Sequence, residues 1–125
     1  MNFPSELKYT KDHEWLLIEG TTGTIGVTDY AQGELGDVIY LDLKDGITVQ
    51  AHESLGNIEA VKTVSDLYSP VSGTVLEVNS GLNDSPETVN KDPYGAGWLV
   101  KISMSNSAEA DALMSVEEYK ALIGE

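Results

Sequence analysis

The stretch Gly56-Asn57-Ile58-Glu59-Ala60-Val61-Lys62-Thr63-Val64-Ser65-Asp66 sets a lysine between two β-type runs, with neither Gly nor Pro beside it. Valine, isoleucine and threonine on both sides favour extended backbone, so the sequence predicts strands over 54–61 and 63–68 and a tight hairpin tip at Lys62. A lysine on such a tip carries a primary amine on a flexible four-carbon stem, an accessible target for an acylating enzyme. Most turn lysines are only solvated charges, and the hairpin by itself does not choose between the two uses.

Outward from the hairpin, short β-type segments recur between clusters of Gly, Pro, Asn, Asp and Ser, the pattern of a mostly β sandwich or barrel with antiparallel strands. Further strands are expected over 14–19, 24–28, 37–43, 73–79 and 98–104. In the third of these Ile39, Leu41 and Leu43 alternate with Val38, Tyr40 and Asp42, the period of a pleated strand, and both faces are expected to be at least partly covered. Residues 29–35 read as one short helix, with Asp29 as its cap. Near the end, Ser115-Val116-Glu117-Glu118 fits a capping box, and Val116, Tyr119, Leu122 and Ile123 share a helical face, so a C-terminal helix should pack on the sheet. The turn-rich stretch 80–97 is the longest region expected to be irregular; its oxygen ligands lack the ordered spacing of a calcium loop, and no metal site is expected.

A chain of 125 residues can bury one core, and one domain over 1–125 is expected. No apolar run approaches the roughly 20 residues of a membrane span, and Met1-Asn2-Phe3-Pro4-Ser5-Glu6 has neither signal-peptide nor transit-peptide character, so a soluble cytoplasmic protein is expected. With no cysteine there is no thiolate or disulfide, and any redox chemistry must come from an attached group. The net charge is -14 and all seven basic residues are lysine, which argues against nucleic acid and anionic membrane as partners. Acidity on this scale serves either solubility alone or steering towards basic partner surfaces.

Several blocks in order along the chain resemble the H-protein family of the glycine cleavage system. They are Tyr9-Thr10-Lys11-Asp12-His13-Glu14-Trp15, then Gly26-Val27-Thr28-Asp29-Tyr30-Ala31-Gln32 followed by Leu35-Gly36-Asp37. The lysine segment continues through Ser65-Asp66-Leu67-Tyr68-Ser69-Pro70-Val71-Ser72-Gly73, and the late loop reads Val89-Asn90-Lys91-Asp92-Pro93-Tyr94-Gly95 before Gly97-Trp98. The resemblance implies a lipoyl/biotinyl-type barrel-sandwich hybrid with short helices, and lipoate joined covalently to Lys62. The family carries Glu three residues before that lysine and Gly sixteen before and eleven after it, which are Glu59, Gly46 and Gly73 here. As ordinary structure these are an exposed strand carboxylate and two turn glycines. Ala60 and Thr63 stand where many relatives carry Ser and Ala.

The resemblance further implies a carrier and not an enzyme. A pyridoxal-phosphate glycine decarboxylase leaves an aminomethyl group on the lipoyl arm, a tetrahydrofolate-dependent aminomethyltransferase removes it, and a dihydrolipoyl dehydrogenase reoxidises the arm. A lipoate ligase or a lipoyl/octanoyl transferase would attach the arm, and a monomer is expected. Glu14 and Asp66 are the candidates to hold the loaded arm in a cleft; otherwise Glu14 is a solvated acid at a strand start and Asp66 one on an exposed strand edge. His13 and His52 lack paired ligand spacing and read as surface or hydrogen-bonded histidines, and Trp15 and Trp98 read as core. A biotin carrier would flank its lysine with methionines, and a ketoacid-dehydrogenase lipoyl domain would bring Pro/Ala-rich linkers; neither is present. An octanoyl or lipoyl relay supplying other carriers would use the same lysine.

Overall fold

In the computed structural model, which describes residues 2–125, two antiparallel sheets face each other across one main core. The strands are Lys8–Tyr9 (β1), Glu14–Glu19 (β2), Thr22–Val27 (β3), Val38–Leu43 (β4), Thr48–Val49 (β5), Ser54–Ala60 (β6), Val64–Tyr68 (β7), Gly73–Val78 (β8) and Val100–Met104 (β9). The helices are Asp29–Leu35 (α1), Thr88–Lys91 (α2) and Val116–Ile123 (α3). One sheet runs β1-β2-β3-β9-β8-β5 and the other β4-β6-β7. Leu16, Ile25, Leu55, Ile58, Leu67, Val71, Val100 and Ile102, each nearly or wholly excluded from solvent, fill the space between them. Burying a Leu, Ile or Val side chain is worth about 1.5–3 kcal/mol, which makes this layer the main source of stability. No helix among the described residues is long and apolar enough to cross a membrane.

The period of two along β2 decides which of its side chains face the site. Leu16 points into the main core, while Trp15 and Leu17 point the other way into a second cluster with Phe3, Leu7, Tyr9, Val116 and Tyr119. Glu14 shares the parity of Leu16 and is carried inward, 2% exposed. The second cluster is where α3 packs. Its capping box is complete: the Ser115 hydroxyl accepts from the Glu118 amide at 3.2 Å and the Glu118 carboxylate accepts from the Ser115 amide at 3.0 Å. Val116 and Tyr119 are buried there, whereas Leu122, placed on the same face by its spacing, is half exposed.

Other expectations are corrected. The cap of α1 is Thr28 and not Asp29: Thr28 Oγ1 accepts the Ala31 amide, while Asp29 is the first helical residue and meets the helix dipole favourably. Strands β1 and β5 are too short to leave a periodic signature. In β4 a bulge between Val38 and Tyr40 breaks the alternation, so Val38 and Leu41 are buried while Ile39 and Tyr40 are about half exposed. Trp98 is only partly buried, with the Lys101 ammonium 4.9 Å from its ring centroid. The stretch 80–97 is better ordered than its turn formers suggest, with a 3-10 turn over Ser80–Asn83 and then α2. Its asparagines close the free edge of β4: Asn83 exchanges hydrogen bonds with both backbone groups of Leu41 at 2.9 and 3.0 Å, and Asn90 accepts the Val38 amide at 3.0 Å.

Candidate functional site

The β6–β7 hairpin closes with the Ala60 amide donating to the Thr63 carbonyl at 2.8 Å, so Val61 and Lys62 form its tip. The Val61 amide donates to the Asp37 carbonyl at 2.9 Å, which ties the tip to the segment between α1 and β4. Lys62 is exposed, and its stem does not point straight out. Its Cγ, Cδ and Cε lie over Gly36, so close that a Cβ placed on Gly36 would sit 3.4 Å from each. Gly36 ends α1 at φ 78 and ψ -163, a conformation open essentially to glycine alone. The same absence of a side chain that permits this backbone leaves room for the lysine stem to lean across it.

Beyond Gly36 the wall of α1 faces β7 across a cleft of about 120 Å³. Ala31, Glu34 and Leu35 form one side, Ser65, Asp66 and Leu67 the other, and Asp12, His13 and Glu14 close it from the start of β2. The two carboxylates singled out in the sequence are thus brought together. They differ in character. Asp66 is exposed and accepts from the Tyr68 hydroxyl at 3.3 Å. Glu14 is not a solvated acid: its Oε1 accepts from Thr10 Oγ1 at 2.9 Å and its Oε2 from the Tyr68 amide at 3.0 Å. Burial pushes its carboxyl up to about 8, outweighing the two hydrogen bonds, which favour the ionised form. A larger cavity of about 260 Å³ beside Thr10, His52 and Met114 touches none of the sequence's candidate residues.

Glu59 lies on the outer face of β6, exposed, between Tyr40 of β4 and Val64 of β7. With Val61, Val64, Ile39 and Tyr40 all half exposed or more, the hairpin carries an apolar collar, accompanied by the exposed acids Glu59 and Asp37. Gly46 and Gly73 are not part of this surface. Gly46 sits in the turn between β4 and β5 at φ 70 with open space around it, and Gly73 begins β8 in the other sheet, where a Cβ would overlap the Ser103 carbonyl. Sequence reasoning missed Asp12, His13 and Glu34 as cleft residues. For Asp12 and His13 the signal was their adjacency to Glu14; for Glu34 there was none, because it comes from another element. His13 is half-buried with Nδ1 2.8 Å from the Tyr119 hydroxyl, and burial holds its pKa below the ordinary histidine value against the pull of Asp12 and Glu34.

A small sandwich of two antiparallel sheets with a C-terminal helix, bearing a lysine-tipped hairpin, is the architecture of a lipoyl-type carrier domain. Comparison with known proteins agrees. The family model for the glycine cleavage H-protein matches residues 7–125. The chain is 51% identical over 126 residues to the glycine cleavage system H protein of Staphylococcus carnosus, covering 100% of both chains. It is 51% identical over 124 residues to that of Bacteroides fragilis, covering 98% of each. The crystal structure of a glycine cleavage system H protein from Mycobacterium marinum superposes with a TM-score of 0.89 at 40% identity, over 98% of this chain and 100% of that one. The chain belongs to the glycine cleavage H-protein family, whose members are lipoyl carriers of the glycine cleavage system and not catalysts.

Proposed function

We propose that Lys62 is the attachment point of the lipoyl arm and that the arm, once loaded, returns to the cleft between α1 and β7. The observation that carries this reading is the lysine stem lying across Gly36, next in the chain to Leu35 of a cleft whose walls hold Glu14 and Asp66. When bound, the lipoyl disulfide supplies the sulfur that takes the aminomethyl group from glycine decarboxylase, surrenders it to the tetrahydrofolate-dependent aminomethyltransferase, and is reoxidised by dihydrolipoyl dehydrogenase. The residues of this chain bind, orient and shelter. Asp66 offers an exposed carboxylate at the rim, and Glu14 a buried one deeper in. A carboxylate about 4 Å from an ammonium gains on the order of 1 kcal/mol in bulk water and roughly 4 kcal/mol at a protein surface, so only the sheltered contact counts. An ammonium beside Glu14 favours its ionised form, so docking and loss of the Glu14 proton are coupled. Ala31 and Leu35 on one wall of the cleft and Leu67 on the other keep water from the bound group.

The attaching enzyme, a lipoate ligase or a lipoyl/octanoyl transferase, would meet the apolar collar with Glu59 beside Lys62. Gly46 and Gly73 would then act at a distance, by shaping the scaffold that presents the hairpin. Tethering raises the local concentration of the carried group at each partner. The test is Lys62→Arg, which keeps the charge and removes the acylable amine. Intact mass and peptide mapping after expression with lipoate should find one lipoyl group at Lys62 in the parent and none in the variant, with glycine cleavage abolished and the fold retained. Modification at Lys44 or Lys91, or normal turnover by Lys62→Arg, refutes the assignment.

A further inference from the structure

Three residues far apart in sequence meet behind the cleft. The Tyr119 hydroxyl of α3 lies 2.8 Å from Nδ1 of His13 and 2.7 Å from Oγ1 of Thr28, the cap of α1. Counting hydrogens fixes the direction of this relay. Thr28 is fully buried, and its oxygen already accepts the Ala31 amide at 3.2 Å. Among the described residues its hydroxyl hydrogen has one acceptor, the Tyr119 oxygen. The single Tyr119 hydrogen then goes to His13 Nδ1. The opposite direction leaves the Thr28 hydrogen buried without an acceptor, at a cost of about 1–3 kcal/mol. The Tyr119 phenol is a secure donor, since burial raises it to about 12.

We propose that Tyr119 is a positioning residue for the cleft: a directed relay from Thr28 through Tyr119 to Nδ1 of His13 keeps that imidazole uncharged with its proton on Nε2, so His13 meets the cleft's carboxyl groups as a neutral donor. Protonating His13 places a hydrogen on Nδ1, opposite the Tyr119 hydrogen, and requires the whole relay to reverse. The groups around His13 otherwise favour the imidazolium. Asp12 and Glu14 flank it in the chain, Tyr30 and Glu34 face it from α1, Tyr119 from α3, and Asp66 lines the far wall on β7. An imidazolium here would compete with an arriving ammonium for the same carboxylates. The relay also joins His13 to the cap of α1, so α3 supports two walls of the cleft through one hydroxyl.

This role rests on the reading that the cleft receives the arm, but the relay itself is measurable without an arm. Nitrogen-15 spectra of the imidazole in the full, unlipoylated chain should show wild-type His13 with Nε2 protonated and Nδ1 as an acceptor, titrating below the ordinary histidine range. Tyr119→Phe keeps the ring stacked on Tyr9, with centroids 4.9 Å apart, and edge-on to Phe3. In that variant the His13 midpoint should rise by about one pH unit, a tenfold gain in proton affinity. Thr28→Ser, which keeps the hydroxyl, should behave as wild type. A proton on Nδ1 in the wild type, or an unchanged midpoint in Tyr119→Phe, overturns the relay. On the loaded, lipoylated protein, Tyr119→Phe should release its carried group faster than wild type only as pH falls through the raised midpoint. An identical pH profile for both, despite the shifted midpoint, overturns the role in the cleft. Failure of the arm-docking reading shows separately, as a release rate indifferent to both Glu14 and Asp66.

Discussion

Glu14 should cost this fold stability at neutral pH, and Glu14→Gln should return part of it. Burial raises its carboxyl from 4.5 to about 8 in the folded chain. The folded state therefore binds the proton more tightly than the unfolded state between those values, so stability is highest below pH about 4.5 and falls as pH rises towards 8. At pH 7 the unfolded carboxyl is ionised and the folded one mostly protonated, so the fold loses about 3 kcal/mol relative to acid pH, at 1.36 kcal/mol per unit. Glutamine is neutral throughout and escapes this loss. Its one oxygen can accept from either Thr10 Oγ1 or the Tyr68 amide, which now use separate carboxylate oxygens, so one hydrogen bond worth about 1 kcal/mol is forfeited. The variant should be about 2 kcal/mol more stable than the parent at pH 7 and about 1 kcal/mol less stable at pH 4. Urea unfolding across this range checks it, since 2 kcal/mol moves the midpoint by roughly 1 M. Repulsion within a chain of net charge -14 affects both proteins, so the difference between them isolates Glu14. Parallel pH curves, or a parent that gains on the variant as pH rises, refute the reasoning.

Asp66→Asn on the loaded, lipoylated protein should speed release of formaldehyde with unchanged lipoylation, as should Glu14→Ala; rates equal to wild type for both show that neither carboxylate shelters the arm. Gly73→Ala should cost roughly 1–3 kcal/mol, because its Cβ meets the Ser103 backbone, whereas Gly46→Ala meets open space and should cost about 1–2 kcal/mol for the left-handed backbone alone. If Gly73→Ala left the urea midpoint unchanged yet blocked lipoylation, Gly73 would be a recognition residue and not a structural one. With a Debye length of about 8 Å at physiological salt, association with the decarboxylase should slow as salt rises, mainly in the on-rate; a flat profile leaves the acidity a solubility feature.

Some of this molecule is legible in the chain alone, because it depends on neighbours in sequence. Residues of β-type bounded by turn formers marked β2, β6 and β7, the Ser115 to Glu118 spacing marked the cap of α3, and two β-type runs without a break placed Lys62 at a tip. Strand ends drifted by a residue or two, and β1 and β5 left no trace, since two residues carry no period. The Ile39, Leu41, Leu43 alternation misled for a tertiary reason: a bulge in the pairing with β6 shifts the facing of the strand, and a bulge belongs to two strands together. The cleft was half legible. The resemblance brought forward Glu14 and Asp66 as carboxylates, but nothing local says that one is buried and protonated while the other stays at the surface. That difference arises because β2 carries Glu14 inward with Leu16, while β7 leaves Asp66 at a rim. Glu34, the Lys62 stem over Gly36, and the Thr28 to Tyr119 to His13 relay join residues from different elements. Sequence by itself determined the β character, the hairpin and the lysine on it, since backbone preference and side-chain period act over a few residues. Only the tertiary structure decided what lies beside that lysine and how it is charged, since burial and donor direction depend on groups that the chain brings together only by folding.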